Sequence, residues 1–412
     1  MTATPADLES RICAALDRQA GDLPALGVAV SGGGDSTALM HIIAKWAAGR
    51  RIHIATVDHG LRPESASEAQ EVAKNSVELG FHHDVLLWQN DLSQGGNLMA
   101  NARNGRMRLL SDWAKRRDLP AIALGHTADD QAETLLMRLT RGAGIDGLAG
   151  MAETRWFQDI LWLRPMLQIT RAELRRWLTD RGIGWIDDPS NENTDFERVR
   201  IRHAMAKLAL DPQAIALSAA NLGEARTALK HYTAQAAEQA IIRHGSLHLP
   251  RAPLQDAPPE ILRQLLIAGC RWMTGADYPP RRQTVLNALE SIAANNRATL
   301  DGVLIEPSDQ MLRLVREPAA ARRAGESRGP DWDNRWKITG LRRGEHIAAL
   351  GLDALADLPW REYGLSRDEA ASSPAVWKGA EMIAVPLLQD CSSYVAQPLR
   401  NATDLRRLLL AH

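Results

Sequence analysis

Hydrophobic and polar positions follow two periods along the first half of this chain. Short apolar runs at Leu26–Val30, Ile52–Val57, Asp84–Leu87, Ala121–Leu124 and Ile160–Trp162 read as strands. Between them, Thr37–Trp46, Ser65–Leu79 and Leu98–Arg117 place apolar residues on one helical face, and another helix is expected to start near Ala128. Strands alternating with helices through about residue 215 predict a parallel sheet covered on both faces. In such a sheet ligands gather beyond the carboxyl ends of the strands. The segments Ser31–Ser36, Asp58-His59-Gly60 and Gly125-His126-Thr127 all follow strands and are expected to meet there.

The pattern changes further on. Leu217–Arg243 is Ala-rich and reads as helix, and Gly245–Pro250 as a turn. Pro259–Thr274 and Arg281–Ala294 read as two more helices. Thr299–Ile305 and Gln310–Val315 form an expected hairpin, and Pro318–Pro330 reads as a linker. Residues 331–412 predict a small unit of short strands rich in tryptophan, more suited to a core than to a stacking surface. The expected domains are therefore 1–215, 216–317 and 331–412.

The most specific chemistry lies in Ser31-Gly32-Gly33-Gly34-Asp35-Ser36, between a strand and a helix. Glycines let the backbone approach a ligand, and a helix N-terminus favours an anion. A Walker loop requires a Lys before its Ser/Thr, which is missing, and the G-x-G-x-x-G pattern fails at Thr37. The pyrophosphate loop S-G-G-x-D-S, which binds ATP for cleavage to AMP and pyrophosphate, fits at every fixed position. A second cluster, His126 to Thr134, puts Asp130 and Glu133 three residues apart on one helical face. These carboxylates suit Mg²⁺, a cationic amine, or simply the start of a helix. A third, Asp187-Asp188-Pro189-Ser190-Asn191, leads to Arg198 and Arg202, which share a helix face and can grip phosphate or pair with neighbouring acids.

Composition narrows the setting. The 412 residues carry a formal net charge of −1 at pH 7, so a nucleic-acid partner needs a local basic patch rather than a polycation. Basic runs at Arg175-Arg176, Arg181, Arg198–Arg202, Arg281-Arg282, Arg322-Arg323 and Arg342-Arg343 are candidates. The three cysteines are scattered, form no C-x-x-C and lie outside the ligand loops, which argues against a local metal site or sulfur transfer. No apolar run approaches the ~20 residues that span a bilayer. The N-terminus lacks a signal-peptide pattern, and a soluble cytoplasmic protein is expected.

Together these clusters resemble the tRNA(Ile)-lysidine synthetase family. The matching pieces are Ser31–Ser36, His59-Gly60-Leu61-Arg62, Asn97-Leu98 with Ala102-Arg103 and Arg106, His126–Met151, and Asp187–Asn191 with Arg198 and Ile201-Arg202. Thr127 departs from the pattern, standing where many members have a second His. The resemblance implies an α/β fold: a parallel-sheet PP-loop ATP pyrophosphatase domain, adenine nucleotide alpha hydrolase-like, then a mainly helical middle domain and a small α+β C-terminal domain. It implies adenylation of the wobble cytidine of a CAU-anticodon isoleucine tRNA, followed by attack of the lysine ε-amine and loss of AMP. The implied partners are that tRNA, L-lysine and ATP with Mg²⁺, with no membrane; the oligomeric state stays open, a homodimer included. Asp35, Asp130, Glu133 and Arg198 are the implied catalytic groups. Ser31, Gly32, Gly33, Gly34, Asp35, Ser36, Asp58, His59, Arg106 and His126 are the implied ATP contacts, and Asp35 and Asp130 the implied metal ligands. A tRNA thiolase, a small-molecule synthetase and a non-catalytic nucleotide-binding protein are the competing readings; the cysteines oppose the first.

Overall fold

The computed structural model describes the chain except residues 1–4, 59, 61–64, 89–97, 188–192, 389–392 and 411–412, and except the side chains of 5–7 and 98–104. The chain divides into two compact units, Met1–Arg226 and Thr227–Ala411. The first unit runs α1 (Pro5–Ala20), β1 (Ala25–Ala29), α2 (Gly34–Trp46), β2 (Arg51–Asp58), α3 (Ser65–Glu78), β3 (His82–Leu87), α4 (Leu98–Arg116), β4 (Ala121–Leu124), α5 (Ala128–Leu139) and α6 (Ile145–Leu148). It continues through β5 (Thr154–Phe157), β6 (Ile160–Leu163), α7 (Arg171–Thr179) and α8 (Glu197–Lys207) into α9 (Pro212–Ala236), where the division falls.

The sheet order is β3-β2-β1-β4-β6-β5. Neighbours pair in parallel except β5, which returns on β6 through a tight hairpin at Gln158 and Asp159, both with positive φ. The chain order reverses beside β1, so the loops after β1 and β4 flank the crevice where such sheets bind ligands.

Alternation along β1 sorts the two faces. Leu26 and Val28 join Ile12 and Leu16 of α1, Leu39 and Ile43 of α2, and Leu174 and Trp177 of α7 in one cluster. Ala25 and Ala29 face the other way and pack with Leu110 and Trp113 of α4 and with Trp162. Gly27 lies between those two alanines because Trp113 covers it: a Cβ there would lie 2.7 Å from the ring. The indole is fixed from its other end, where Nε1 donates to Asp84 Oδ2 at 2.8 Å.

The second unit carries a five-stranded antiparallel sheet in the order Ile241–Arg243, Ser246–Pro250, Met311–Arg316, Val303–Pro307, Ala298–Leu300. Its core cluster includes Ile261, Leu265 and Trp272 of the helix Pro259–Thr274, Val285 of the helix Arg282–Ala293, and Leu405 and Leu409 of the helix Ala402–Leu410. Two three-stranded sheets follow, with separate clusters around Trp332, Trp336 and Ile347 and around Leu350, Leu365 and Val385. Trp332 and Trp336 are buried, as the core reading of this region expects.

Four expectations need correction. Thr299–Ile305 is not one arm of a hairpin: it turns at Asp301 and Gly302, both with positive φ, between the strands Ala298–Leu300 and Val303–Pro307. The long helix stops at Ala236, and Ile241–Arg243 is a strand. Gly245, at φ 72°, makes the turn, while Ser246–Pro250 is a strand whose Leu247 and Leu249 alternate into the core. Within the expected linker, Pro318–Arg323 is a short helix, started by Pro at its first position and held by buried Ala320 and Ala321. No described helix is long and apolar enough to cross a membrane.

Gly27→Ala is expected to destabilise the first unit by about 1–3 kcal/mol through overpacking against Trp113. Denaturant unfolding followed by tryptophan fluorescence measures this, and adding Trp113→Phe should recover part of the loss.

Candidate active site

The Ser31–Ser36 loop is organised by its own hydroxyls. Ser36 Oγ accepts from Ser31 N at 3.1 Å and donates to Gly33 O at 3.0 Å, while Thr37 Oγ1 donates to Gly32 O at 3.0 Å. Gly33 caps α2 in extended geometry without a side-chain bond, so the first N–H groups of the helix stay turned to the crevice. Gly32 adopts φ +87°, and its carbonyl accepts from Ile186 N at 2.9 Å. A Cβ there would strike Ile186 Cδ1 at 2.5 Å, so the segment before Asp187 closes directly over the loop. Gly125, after β4, allows equally close approach: a Cβ would lie 3.1 Å from the backbone of Ser36.

These contacts frame a cleft of about 410 Å³ lined by Ser31, Gly33, Gly34, Asp35, Ser36, Arg106, His126, Asp130, Arg198 and Arg202, together with Arg164, Arg171, Arg175 and Asp187. Most of the expected site residues therefore converge. Gly32, Asp58 and Glu133 are not on this lining. Asp58 ends β2, and its Oδ1 accepts from Gly60 N at 2.8 Å. His59, Leu61, Arg62, Asn97 and Asp188–Asn191 lie outside the described residues, as do the side chains of Ala102 and Arg103.

The acids on α5 have two jobs. Thr127 caps the helix in a capping box: Asp130 Oδ2 accepts from Thr127 N at 2.9 Å, and Asp130 N donates to Thr127 Oγ1 at 3.4 Å. Asp130 Oδ1 instead turns to Arg171 Nη2 at 3.4 Å and Arg198 Nη1 at 3.9 Å. Glu133 is 1% exposed and lies beneath guanidinium groups, with Arg202 Nε at 2.8 Å from Oε1 and Arg198 Nε at 3.1 Å from Oε2. The Arg198 contact is a charge contact only; Glu133 Oε2 is buried and accepts no hydrogen bond among the described residues.

Arg171 holds the centre, and the sequence reading passed over it. It is the first residue of α7, behind the N-cap Thr170. Its Nε donates to Asp35 Oδ2 at 3.0 Å, and its terminal nitrogens reach Asp130 and Glu133 at 3.4 and 3.5 Å. The helices bearing these groups are tied at their starts: Ala128 N donates to Ile169 O at 2.8 Å, and Arg171 N donates to the Asp129 carboxylate Oδ2 at 2.7 Å. The local signal was the Thr170-x-x-Glu173 capping box; nothing local showed that α7 starts beside α5.

Charge states follow from this packing. Burial pushes the Asp35 carboxyl up, only partly offset by Arg171. Burial also opposes ionisation of Asp130, but His126, Arg171, Arg198 and the Thr127 N–H outweigh it and hold its pKa below the usual value. Burial works against the Arg171 charge as well, yet Asp130, Asp35, Glu133 and Asp129 hold the guanidinium more firmly protonated than usual. Among the described residues no three His, Cys, Asp or Glu side chains converge as a metal cage. Asp35 and Asp130 both line the cleft, and carboxylates are the ligand type that Mg²⁺ takes, one or two at a time with phosphate oxygens completing its shell. Of the basic runs, Arg181 is committed to Glu9 and stacked on Trp177, and Arg175 pairs with Asp187.

The PP-loop domain family matches residues 7–209. Over 396 residues the chain is 43% identical to the tRNA(Ile)-lysidine synthase of Ruegeria pomeroyi, covering 94% of each chain. It is 30% identical to the tRNA(Ile)-lysidine synthase of Wolbachia pipientis, covering 88% of each. A U34-tRNA thiolase structure from Methanococcus maripaludis is similar over 54% of this chain and 80% of that one, at 13% identity and a TM-score of 0.47.

Gly125→Ala is expected to raise the ATP KM about tenfold by forcing the β4 loop off the start of α2, a loss of about 1.4 kcal/mol. Steady-state kinetics would show this, with an unfolding temperature close to wild type separating it from a folding defect.

Proposed function

The chain belongs to the tRNA(Ile)-lysidine synthase family, and from that membership we propose how its cleft divides the reaction among named residues. The enzyme ligates L-lysine to C2 of the wobble cytidine of the CAU-anticodon isoleucine tRNA, with ATP as co-substrate. The product reads AUA instead of AUG, and the tRNA changes from methionine to isoleucine identity.

In the first step the cytidine C2 oxygen attacks the α-phosphorus of ATP, and the bond to the β-phosphate breaks. Ser31–Ser36 and the start of α2 receive the departing pyrophosphate through backbone N–H groups. Arg198 and Arg202, facing the cleft on α8, stabilise charge on the α-phosphate, with Arg106 as a further ATP contact. Asp58 and His59 serve the adenine and ribose side. Mg²⁺, held by Asp35 together with phosphate oxygens, would neutralise phosphate charge; Asp130 serves either that ion or the amine, and we assign it to the amine.

In the second step the lysine ε-nitrogen attacks C2, the C2–O bond breaks, and AMP leaves. The observation that carries the amine assignment is Glu133 Oε2, a buried carboxylate oxygen beside Arg198 that accepts no hydrogen bond among the described residues. An ammonium would supply the missing donor. Asp130, held ionised by its neighbours, suits gripping an ammonium better than accepting a proton. Glu133 then accepts the proton that the amine must lose before attack. A second reading has support in the same geometry: Glu133, under Arg198 and Arg202, positions them for the α-phosphate. We assign catalysis to residues 1–215 and tRNA binding to 216–317 and 331–412, and place the enzyme in the cytoplasm.

Incubation with ATP, labelled lysine and tRNA should release AMP and leave the label on one nucleoside after nuclease digestion; no AMP with all three supplied would overturn the function. Asp35→Ala should abolish pyrophosphate release. Glu133→Gln should raise the lysine KM at least about tenfold, or 1.4 kcal/mol, while lysine-independent pyrophosphate release persists. If pyrophosphate release collapsed and the lysine KM held, the positioning role would replace the lysine role. Arg198→Ala should cut the adenylation kcat about 10²–10³-fold, the scale for losing one oxyanion donor.

A further inference from the structure

Resting on the lysine reading of Asp130 and Glu133, we propose that Arg171 is a resident stand-in for the substrate cation: its guanidinium closes the amine pocket, and lysine enters by displacing it.

The geometry carries this in three parts. First, Arg171 is among the three arginines that lie over buried Glu133, so an incoming ammonium reaches Glu133 only when a guanidinium moves. Second, Arg171 touches these two acids only through long contacts. Its terminal nitrogens stand 3.4 and 3.5 Å from Asp130 and Glu133, whereas Arg202 is 2.8 Å from Glu133; charge-assisted bonds normally measure about 2.7–2.9 Å. Third, withdrawal strands no charge. The Arg171 Nε keeps Asp35 at 3.0 Å, Glu133 keeps Arg202, and Asp130 keeps its bond from Thr127 N. One monocation replaces another, and the buried carboxylates stay neutralised throughout.

Arg171 therefore acts as a positioning residue with a defined kinetic signature. A pocket blocked by its own side chain for most of the time weakens apparent affinity by the fraction that is open. Arg171→Met should lower the lysine KM about three- to tenfold by removing that competitor. The same variant should lower kcat for pyrophosphate release, because Asp35 loses its partner. Arg171→Lys keeps one charge but lacks the second terminal nitrogen needed to span Asp130 and Glu133, so its lysine KM should fall by a smaller factor. Methylguanidinium added to Arg171→Met should refill the vacated position and compete with lysine, while leaving the wild-type lysine KM unchanged at the same concentration.

A lysine KM that is unchanged or raised in Arg171→Met would overturn the proposal, as would methylguanidinium that competes with Mg²⁺ rather than lysine. Should Arg171→Met fail to fold, Arg171→Lys decides alone: a KM below wild type supports displacement, and one equal or higher refutes it. Glu133→Gln separates the two levels. If it leaves the lysine KM untouched, the amine site itself is misassigned, whereas a failure confined to Arg171 leaves that site standing.

Discussion

Four carboxylates cannot gather around one point of a fold without cations, and meeting that requirement at Arg171 organises the catalytic unit. Asp35 arrives on α2, and Asp129, Asp130 and Glu133 on α5. The arginines that answer them come from α7 and α8, later in the chain than either. Each acid alone would cost several kcal/mol to bury ionised. The pairing offsets that cost and fixes α5, α7 and α8 around the phosphate loop.

Much of this was legible before any coordinates. The phosphate loop is a contiguous motif whose glycines and hydroxyls act locally, so Ser31–Ser36 could be read from spacing alone. The strands followed from short apolar runs, and β4 occupies the residues expected for it. Asp130 and Arg198 were identifiable because motifs carried them. Thr127, at a position where the resemblance suggests a second His, supplies the hydroxyl that caps the start of α5.

What escaped depended on contacts between distant segments. Arg171 looks like an ordinary first-turn residue until α7 is placed beside α5, an adjacency set by Ala128 N and Ile169 O rather than by side-chain type. Glu133 reads as a cleft residue on a helical wheel but lies under arginines supplied 38 to 69 residues later. The strand Ser246–Pro250 was missed because Gly245 signalled a turn and the alternation that follows it is only five residues long.

The C-terminal helix Ala402–Leu410 sets an order of events. Leu405 and Leu409 belong to the same cluster as Trp272 and Leu265, and Trp272 Nε1 donates to Asn401 O at 3.0 Å. The first unit has every residue of its cores in hand once Arg226 has left the ribosome. The second holds an unfinished apolar surface through more than a hundred further residues of synthesis. Translation thus completes the cores of the first unit before that of the second, which stays open to chaperones and proteases until Leu405 and Leu409 arrive.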